Sequence, residues 1–289
     1  MRIAVVGAGS WGTAFAGLLG EREHDVSLAG RERDPAELEA AGLVCVAVPS
    51  RVFADVVASL PGSAPVVVLT KGLDPTTGER LSQVVENRPV AVLSGPNHAE
   101  EIAAGLPALA VVASDDEALA EQVREAVMSP RFRVYVNPDL VGVELCAAAK
   151  NVIALAAGAV EGLGLGDNAT AALVTRGLAE MTRLGEACGA RPETFAGLAG
   201  LGDLVVTCWS RHSRNRRAGE LIAQGATADE AVTKIGMAVE GVTTAPVLGQ
   251  LGRRLGVVLP ITDAVNEVIA GARPLDLVTN LMGRQPTEE

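Results

Sequence analysis

The sequence predicts an α/β chain in two parts, a doubly wound parallel sheet over residues 1–138 and an all-α domain over residues 139–289. Three observations predict it. Short apolar runs alternate with helical patterns through the first half. A glycine-rich turn joins the first run to the first helix, and no strand pattern follows Pro138.

The apolar runs cover residues 3–6, 26–28, 43–48, 66–69, 90–93, 109–112 and 133–136. Between them, residues 51–60 and 117–128 carry apolar side chains at helical spacing, as crossover helices between parallel strands should. From Asp139 onward the pattern is helical, interrupted by Gly or Pro: residues 139–158, 170–188, 213–223, 228–235, 244–255, 261–270 and 275–282. The boundary between the two parts falls near residues 137–139, and residues 285–289 read as a frayed end.

A chain of 289 residues is long enough for two such units. Its apolar fraction of 48% is carried by Ala, Val and Leu, with only 2% aromatic, so the cores must be built from small interdigitating side chains. That composition excludes collagen-like and disordered classes. Subtracting 35 acidic from 24 basic residues leaves a net charge of −11, which argues against nucleic-acid and anionic-membrane partners. Any bound anion must therefore meet a local basic site. Cys45, Cys146, Cys188 and Cys208 form no metal-ligand or CxxC spacing and read as reduced core residues. His24, His98 and His212 are too dispersed for a metal site, so none is expected. Met1 runs directly into a strand pattern without a signal-peptide signature, which predicts a cytoplasmic address. The longest apolar stretch, residues 141–160, contains Glu144, Lys150 and Asn151, and reads as a buried helix rather than a membrane span.

Gly7, Gly9 and Gly12 form a GxGxxG immediately after the first strand and at the start of a helix. Gly7 permits the tight turn, Gly9 lets a pyrophosphate approach the backbone, and Gly12 allows close helix–strand contact. The diphosphate of a dinucleotide would sit on the free N–H groups of the helix N-terminus, a Rossmann-type arrangement. After the second strand, where an acid on the ribose hydroxyls marks NAD binding, the chain reads Ala29-Gly30-Arg31-Glu32-Arg33. Arg31 can pair with a 2′-phosphate instead, so NADPH is preferred over NADH; the alternative is a solvated surface arginine.

Lys150 has Cys146, Ala147, Ile153 and Ala154 as its helix-face neighbours. Burial among them lowers its pKa and suits it to proton transfer, unless it snorkels to solvent or pairs structurally with a carboxylate such as Glu144. Asp203 stands alone in the Gly-rich apolar stretch Leu198-Ala-Gly-Leu-Gly-Asp, where it could orient a lysine, hold a substrate hydroxyl or cap the next helix. Residues 211–217 hold four arginines. Ser213, Arg214 and Asn215 at that helix start could bind a phosphate; a solvated basic face is the plainer reading, and nucleic-acid binding a poorer one. Lys71 and Gly72 close one strand, and Ser94-Gly95-Pro96-Asn97 another, at the carboxyl edge of the sheet where ligands sit.

In this order Gly7-Ala-Gly-Ser-Trp-Gly-Thr-Ala, Val48-Pro-Ser, Thr70-Lys-Gly, Ser94-Gly-Pro, Gly142-Val-Glu-Leu, Ala149-Lys-Asn-Val-Ile-Ala, Gly200-Leu-Gly-Asp, Ser213-Arg-Asn and Val239-Glu-Gly resemble the bacterial NAD(P)-dependent glycerol-3-phosphate dehydrogenase family across nearly the whole chain. The resemblance implies that Ser10, Trp11, Arg31, Lys71, Ala99, Arg214 and Glu240 line the cofactor, beside the glycines of the turn. It implies that Lys150 is the proton donor and acceptor. It further implies substrate contacts from Lys71, Gly95, Asn97, Lys150, Asp203, Ser213, Arg214 and Asn215. The implied reaction is reversible reduction of dihydroxyacetone phosphate to sn-glycerol 3-phosphate with NADPH or NADH, by a homodimer whose product feeds phospholipid synthesis.

Two features depart from the family's pattern. Leu28 and Leu43 are separated by barely a shortest crossover, where the family carries a further helix and strand, so the Rossmann-type sheet is shortened on the adenine side of the cofactor. His98 stands where the family usually carries Phe, next to the nicotinamide region. Alternative readings are a catalytically impaired dinucleotide sensor and a related hydroxyacid dehydrogenase.

Overall fold

In the computed structural model, which describes residues 1–276 and 278, Ile3 and Val5 of strand β1 (Arg2–Val6) enter one hydrophobic cluster while Ala4 and Val6 enter another. This period-two alternation is that of a strand buried on both faces. One cluster is closed by Phe15, Leu18 and Leu19 of α1 (Ser10–Gly20). The chain continues through β2 (Asp25–Ala29), α2 (Pro35–Glu39), β3 (Leu43–Val46), a 3₁₀ turn at Ser50–Val52 and α3 (Phe53–Ala58), whose Phe53, Val56 and Val57 close the other cluster. Then come β4 (Val66–Val68), α4 (Leu81–Val84), β5 (Val90–Ser94), α5 (Ala99–Ala103), β6 (Ala108–Ala113), α6 (Glu117–Val127) and β7 (Phe132–Asn137).

All seven expected strands form one sheet in the order β2-β1-β3-β4-β5-β6-β7. Every neighbouring pair is parallel except β5–β6, a departure from the uniformly parallel expectation. The chain turns back at the carboxyl edge after β5 instead of crossing over, which keeps Gly95, Asn97 and His98 at that edge. Because β1 lies between β2 and β3, successive crossovers leave it in opposite directions, and a crevice opens at the carboxyl ends of β1 and β3. The shortened connection survives as the single turn α2, capped by Asp34 Oδ1 accepting from Ala36 N at 2.9 Å and anchored by buried Leu38. It leaves β2 as the sheet's edge strand.

The helical part comprises α7 (Leu140–Gly162), α8 (Gly166–Ala187), α9 (Pro192–Ala196), α10 (Asp203–Trp209), α11 (Arg214–Ala223), α12 (Ala228–Ile235), α13 (Glu240–Leu255) and α14 (Pro260–Ile269). α7 is its axis, touching α8, α10, α11, α13 and α14. Among the described residues it alone is long and apolar enough to cross a membrane, and 89% of its most apolar window is buried inside the fold. Asp139 caps it, accepting from Gly142 N at 2.9 Å while also tying down Arg191 N and Thr194 Oγ1. α11 lies directly on α7: a Cβ on Gly158 would strike the Arg216 backbone, and one on Gly219 would strike that of Leu155. Glu144 faces away from Lys150 and accepts from Ser82 N and Arg80 Nη1, both at 2.8 Å, joining α7 to α4.

Several boundaries differ from the sequence expectation, and α7 runs to Gly162, four residues beyond it. α8 and α13 each begin four residues earlier, the latter with Pro246 inside it. Residues 192–209, where the sequence suggests only a helix following Asp203, form α9, a π-helical turn at Leu198–Gly202, and α10. Each is too short to show a helical period. The expected helix 275–282 lies largely outside the described residues, and the expected frayed end 285–289 lies wholly outside them.

Candidate active site

A cleft of about 540 Å³ runs between the carboxyl edge of the sheet and helices α7, α10, α11 and α13. Its sheet side is made by the glycine turn. Gly7 has φ +117°, a Cβ on Gly12 would collide with the Gly7 carbonyl, and the space where Gly9 would carry a Cβ is open. Gly7 and Gly12 thus shape the turn from behind, while Gly9, Ser10 and Trp11 line the cleft. No side chain caps the start of α1, so its first amides point at the opening, and the buried indole Nε1 of Trp11 has no partner. A diphosphate fits this cradle. Arg31, exposed, and Ala99 line the same cleft. So does Glu240, whose carboxylate accepts from Ser50 N at 3.2 Å and Ser50 Oγ at 2.5 Å, fastening α13 to the loop after β3.

Opposite the glycine turn, charged groups from the sheet edge and from the helices meet. Lys150 Nζ donates to Asp203 Oδ1 and, at 3.0 Å, to Thr207 Oγ1. Lys71 Nζ donates to Asp203 Oδ2 at 3.0 Å, to the Gly95 carbonyl at 3.0 Å and to Asn97 Oδ1 at 2.9 Å. Ser94 Oγ lies 3.3 Å from Asp203 Oδ2. One carboxylate therefore holds two ammonium groups drawn from a strand end and a helix. Burial drives Lys150 down from 10.5 to about 7; Asp203 opposes the shift and Lys71 adds to it. Burial pushes Asp203 up, but the two ammonium groups outweigh it and hold the carboxyl below its usual range.

Asp203 begins α10 without capping it, so its side chain is committed to the lysines. Glu144, the carboxylate considered as a structural partner of Lys150, is bonded instead to Arg80 and Ser82. Ser213 caps α11, accepting from Arg216 N at 3.2 Å. Of the four arginines there, only Arg214 lines the cleft; Arg216 pairs with Glu220 at 2.8 Å, and Arg211 and Arg217 are exposed. Asn215 accepts from Gly241 N at 2.8 Å and donates to Asn151 Oδ1 at 2.9 Å, and Asn151 Nδ2 donates to the Lys71 carbonyl at 3.2 Å. The expected residues thus converge on one cleft, with Gly7, Gly12, Gly95 and Asp203 behind its wall.

Thr207, Asn151 and His212 also line the cleft and were not singled out from sequence. Thr207 follows Asp203 by one helical turn, a signal readable only once α10 is recognised. Asn151 simply adjoins Lys150.

A family model described as the NAD-dependent glycerol-3-phosphate dehydrogenase C-terminus matches residues 139–280. The model of the same family's N-terminus matches in two stretches, 2–38 and 33–120, with the break in the shortened β2–β3 connection. The glycerol-3-phosphate dehydrogenase [NAD(P)+] of Desulfitobacterium hafniense is 43% identical over 327 aligned positions, covering 100% of this chain and 93% of that protein. Those 327 positions exceed the 289 residues by 38, so the relative carries at least 38 residues that this chain lacks. The enzyme of the same name from Moorella thermoacetica is 44% identical, covering 99% and 97% of the two chains. The crystal structure of glycerol-3-phosphate dehydrogenase from Coxiella burnetii superposes with a TM-score of 0.93 at 36% identity, covering 98% of each chain. With both halves matched and full-length relatives above two-fifths identity, the chain belongs to the NAD-dependent glycerol-3-phosphate dehydrogenase family.

Proposed function

We propose that this protein reversibly reduces dihydroxyacetone phosphate to sn-glycerol 3-phosphate, with NADPH preferred over NADH, and so supplies glycerophospholipid synthesis. The observation that carries the reading is the Lys150–Asp203–Lys71 cluster facing a glycine turn on one side and the N-terminus of α11 on the other. Residues 1–138 act as the dinucleotide-binding unit and residues 139–289 as the substrate and catalytic unit.

A bound reduced nicotinamide supplies the hydride that adds to C2 of the ketone. Lys150 hands its proton to the carbonyl oxygen as the C–O double bond becomes an alkoxide, giving the alcohol. Asp203 and Thr207 fix two of the ammonium's N–H bonds, leaving the third for the substrate. Lys71 adds fixed positive charge, and Ser213, Arg214 and Asn215 receive the phosphate at the start of α11. In reverse, the neutral amine of Lys150 takes the hydroxyl proton. Arg31 stands where it can meet the 2′-phosphate of NADPH, which supports the cofactor preference.

A homodimer is supported by a stripe at four-residue spacing, Leu201 in the π-helical turn and Val205 and Trp209 on the face of α10 opposite Asp203 and Thr207, which are 38%, 41% and 46% exposed. Four free cysteines support a reducing, cytoplasmic setting.

The test is NADPH oxidation followed by nicotinamide absorbance with dihydroxyacetone phosphate and with unphosphorylated dihydroxyacetone. Saturable turnover that requires the phosphate is expected. NADPH binding without oxidation of either ketone would instead make the chain a dinucleotide sensor, and oxidation only with a hydroxyacid's ketone would move it to a related dehydrogenase.

A further inference from the structure

We propose that His98 reads the C1 hydroxyl of the substrate, making it a specificity-determining residue whose Nε2 hydrogen-bonds the one hydroxyl that dihydroxyacetone phosphate carries. This rests on the substrate assigned in the preceding subsection.

His98 immediately precedes α5, on the segment that turns back at the carboxyl edge after β5. Its ring lines the cleft, yet Nε2 is buried and has no hydrogen-bond partner. The adjacent residue repeats the pattern: Asn97 spends Oδ1 on Lys71, while its buried Nδ2 is unpartnered. Two neighbouring side chains therefore present unsatisfied polar atoms in one cleft, and buried polar atoms are rarely left without a partner unless a ligand supplies it.

The surroundings of the ring belong to the substrate half of the cleft. It is hydrogen-bonded to the Val206 backbone in α10, and the charges that act on it are Lys150, Lys71 and Asp203. The His212 ring, directly before Ser213, lies 6.3 Å away centroid to centroid. Arg31 and Glu240, at the cofactor end, are not among its partners.

The chemistry selects a hydroxyl. Burial first, then the two ammonium groups, lower the imidazole's pKa and favour its neutral form, which offers no net charge to a phosphate. The phosphate already has Ser213 and Arg214, and the C2 oxygen has Lys150. The other ring nitrogen donates to the Val206 backbone, so Nε2 of the neutral imidazole accepts; a hydroxyl can donate to Nε2 while its oxygen accepts a hydrogen bond from Asn97 Nδ2. The C1 hydroxyl is the remaining polar group of the ketone.

The experiment compares kcat/KM for dihydroxyacetone phosphate and for hydroxyacetone phosphate, the same ketone without the C1 hydroxyl, in the wild-type protein, His98→Phe and His98→Gln. The wild type should favour the hydroxylated ketone by tenfold or more, since a site built around a hydroxyl rejects an analogue lacking it. In His98→Phe that preference should shrink about tenfold, the scale of one hydrogen bond. His98→Gln, whose amide can still meet a hydroxyl, should regain part of it. A preference equal in all three proteins, or equal losses on both ketones, would overturn the proposal by leaving His98 a packing role only. If the wild type reduces neither ketone, the substrate assignment itself fails and the proposal falls with it.

Discussion

Lys150 shows how a single residue acquires reactivity from its surroundings. On its own helix it meets only small apolar side chains, and without a counter-charge it would be expelled or neutralised. Asp203 arrives from a different helix, holds the ammonium in place, and is itself kept ionised by Lys150 and Lys71 together. In the proposed mechanism, reduction consumes the protonated form of Lys150 and oxidation the neutral form. With the pKa lowered to about 7, kcat for reduction should fall as pH rises through that value, while kcat for oxidation should rise. Lys150→Ala should lose on the order of a hundredfold or more in turnover and abolish this opposed pair of profiles, with NADPH affinity retained. Near wild-type turnover in that variant would remove Lys150 from the proton step.

Short elements also shape the site. α10, only seven residues, presents Asp203 and Thr207 inward and Val205 and Trp209 outward. The single turn α2 stands in the shortened β2–β3 connection, and Arg31, just after β2, still lines the cleft. That predicts a cofactor-specific effect: Arg31→Ala should raise KM for NADPH about tenfold, the scale of one charge-assisted hydrogen bond, with little change for NADH. Steady-state kinetics with the two cofactors decides it, and an equal effect on both would mean that Arg31 does not meet the 2′-phosphate.

At the scale of the whole molecule, an acidic chain of net charge −11 keeps a cationic pocket by enclosing it. Lys71, Lys150 and Arg214 converge from β4, α7 and α11, so the positive charge exists only where the two parts meet. The same α10 that closes this pocket bears the exposed apolar stripe assigned to a second copy. If the proposed homodimer forms through this stripe, the wild type should run as a dimer and Trp209→Glu as a monomer in size-exclusion chromatography with light scattering, because a carboxylate cannot be buried unpaired in such an interface. A variant that stays dimeric would place the interface elsewhere.

The seven strands, the glycine turn and the switch to helices after Pro138 were legible in the sequence because apolar periodicity and glycine placement are local properties. So was the isolation of Lys150 among Cys146, Ala147, Ile153 and Ala154. The reversal of β6 was not legible, because strand direction depends on how the chain returns between strands rather than on the strands' own pattern. Nor were α9, too short to display a period, the extent of α10, or Thr207, whose meaning depends on α10. The choice of Asp203 over Glu144 as partner of Lys150 belongs to tertiary structure alone. Glu144 is closer along the chain and on the same helix, but hydrogen bonding to Ser82 and Arg80 turns it away. Asp203, 53 residues further on, is brought into contact by the docking of α10 against α7. Sequence by itself determined which residues could be reactive; packing decided which of them meet, since a salt bridge follows distance in space and not separation along the chain.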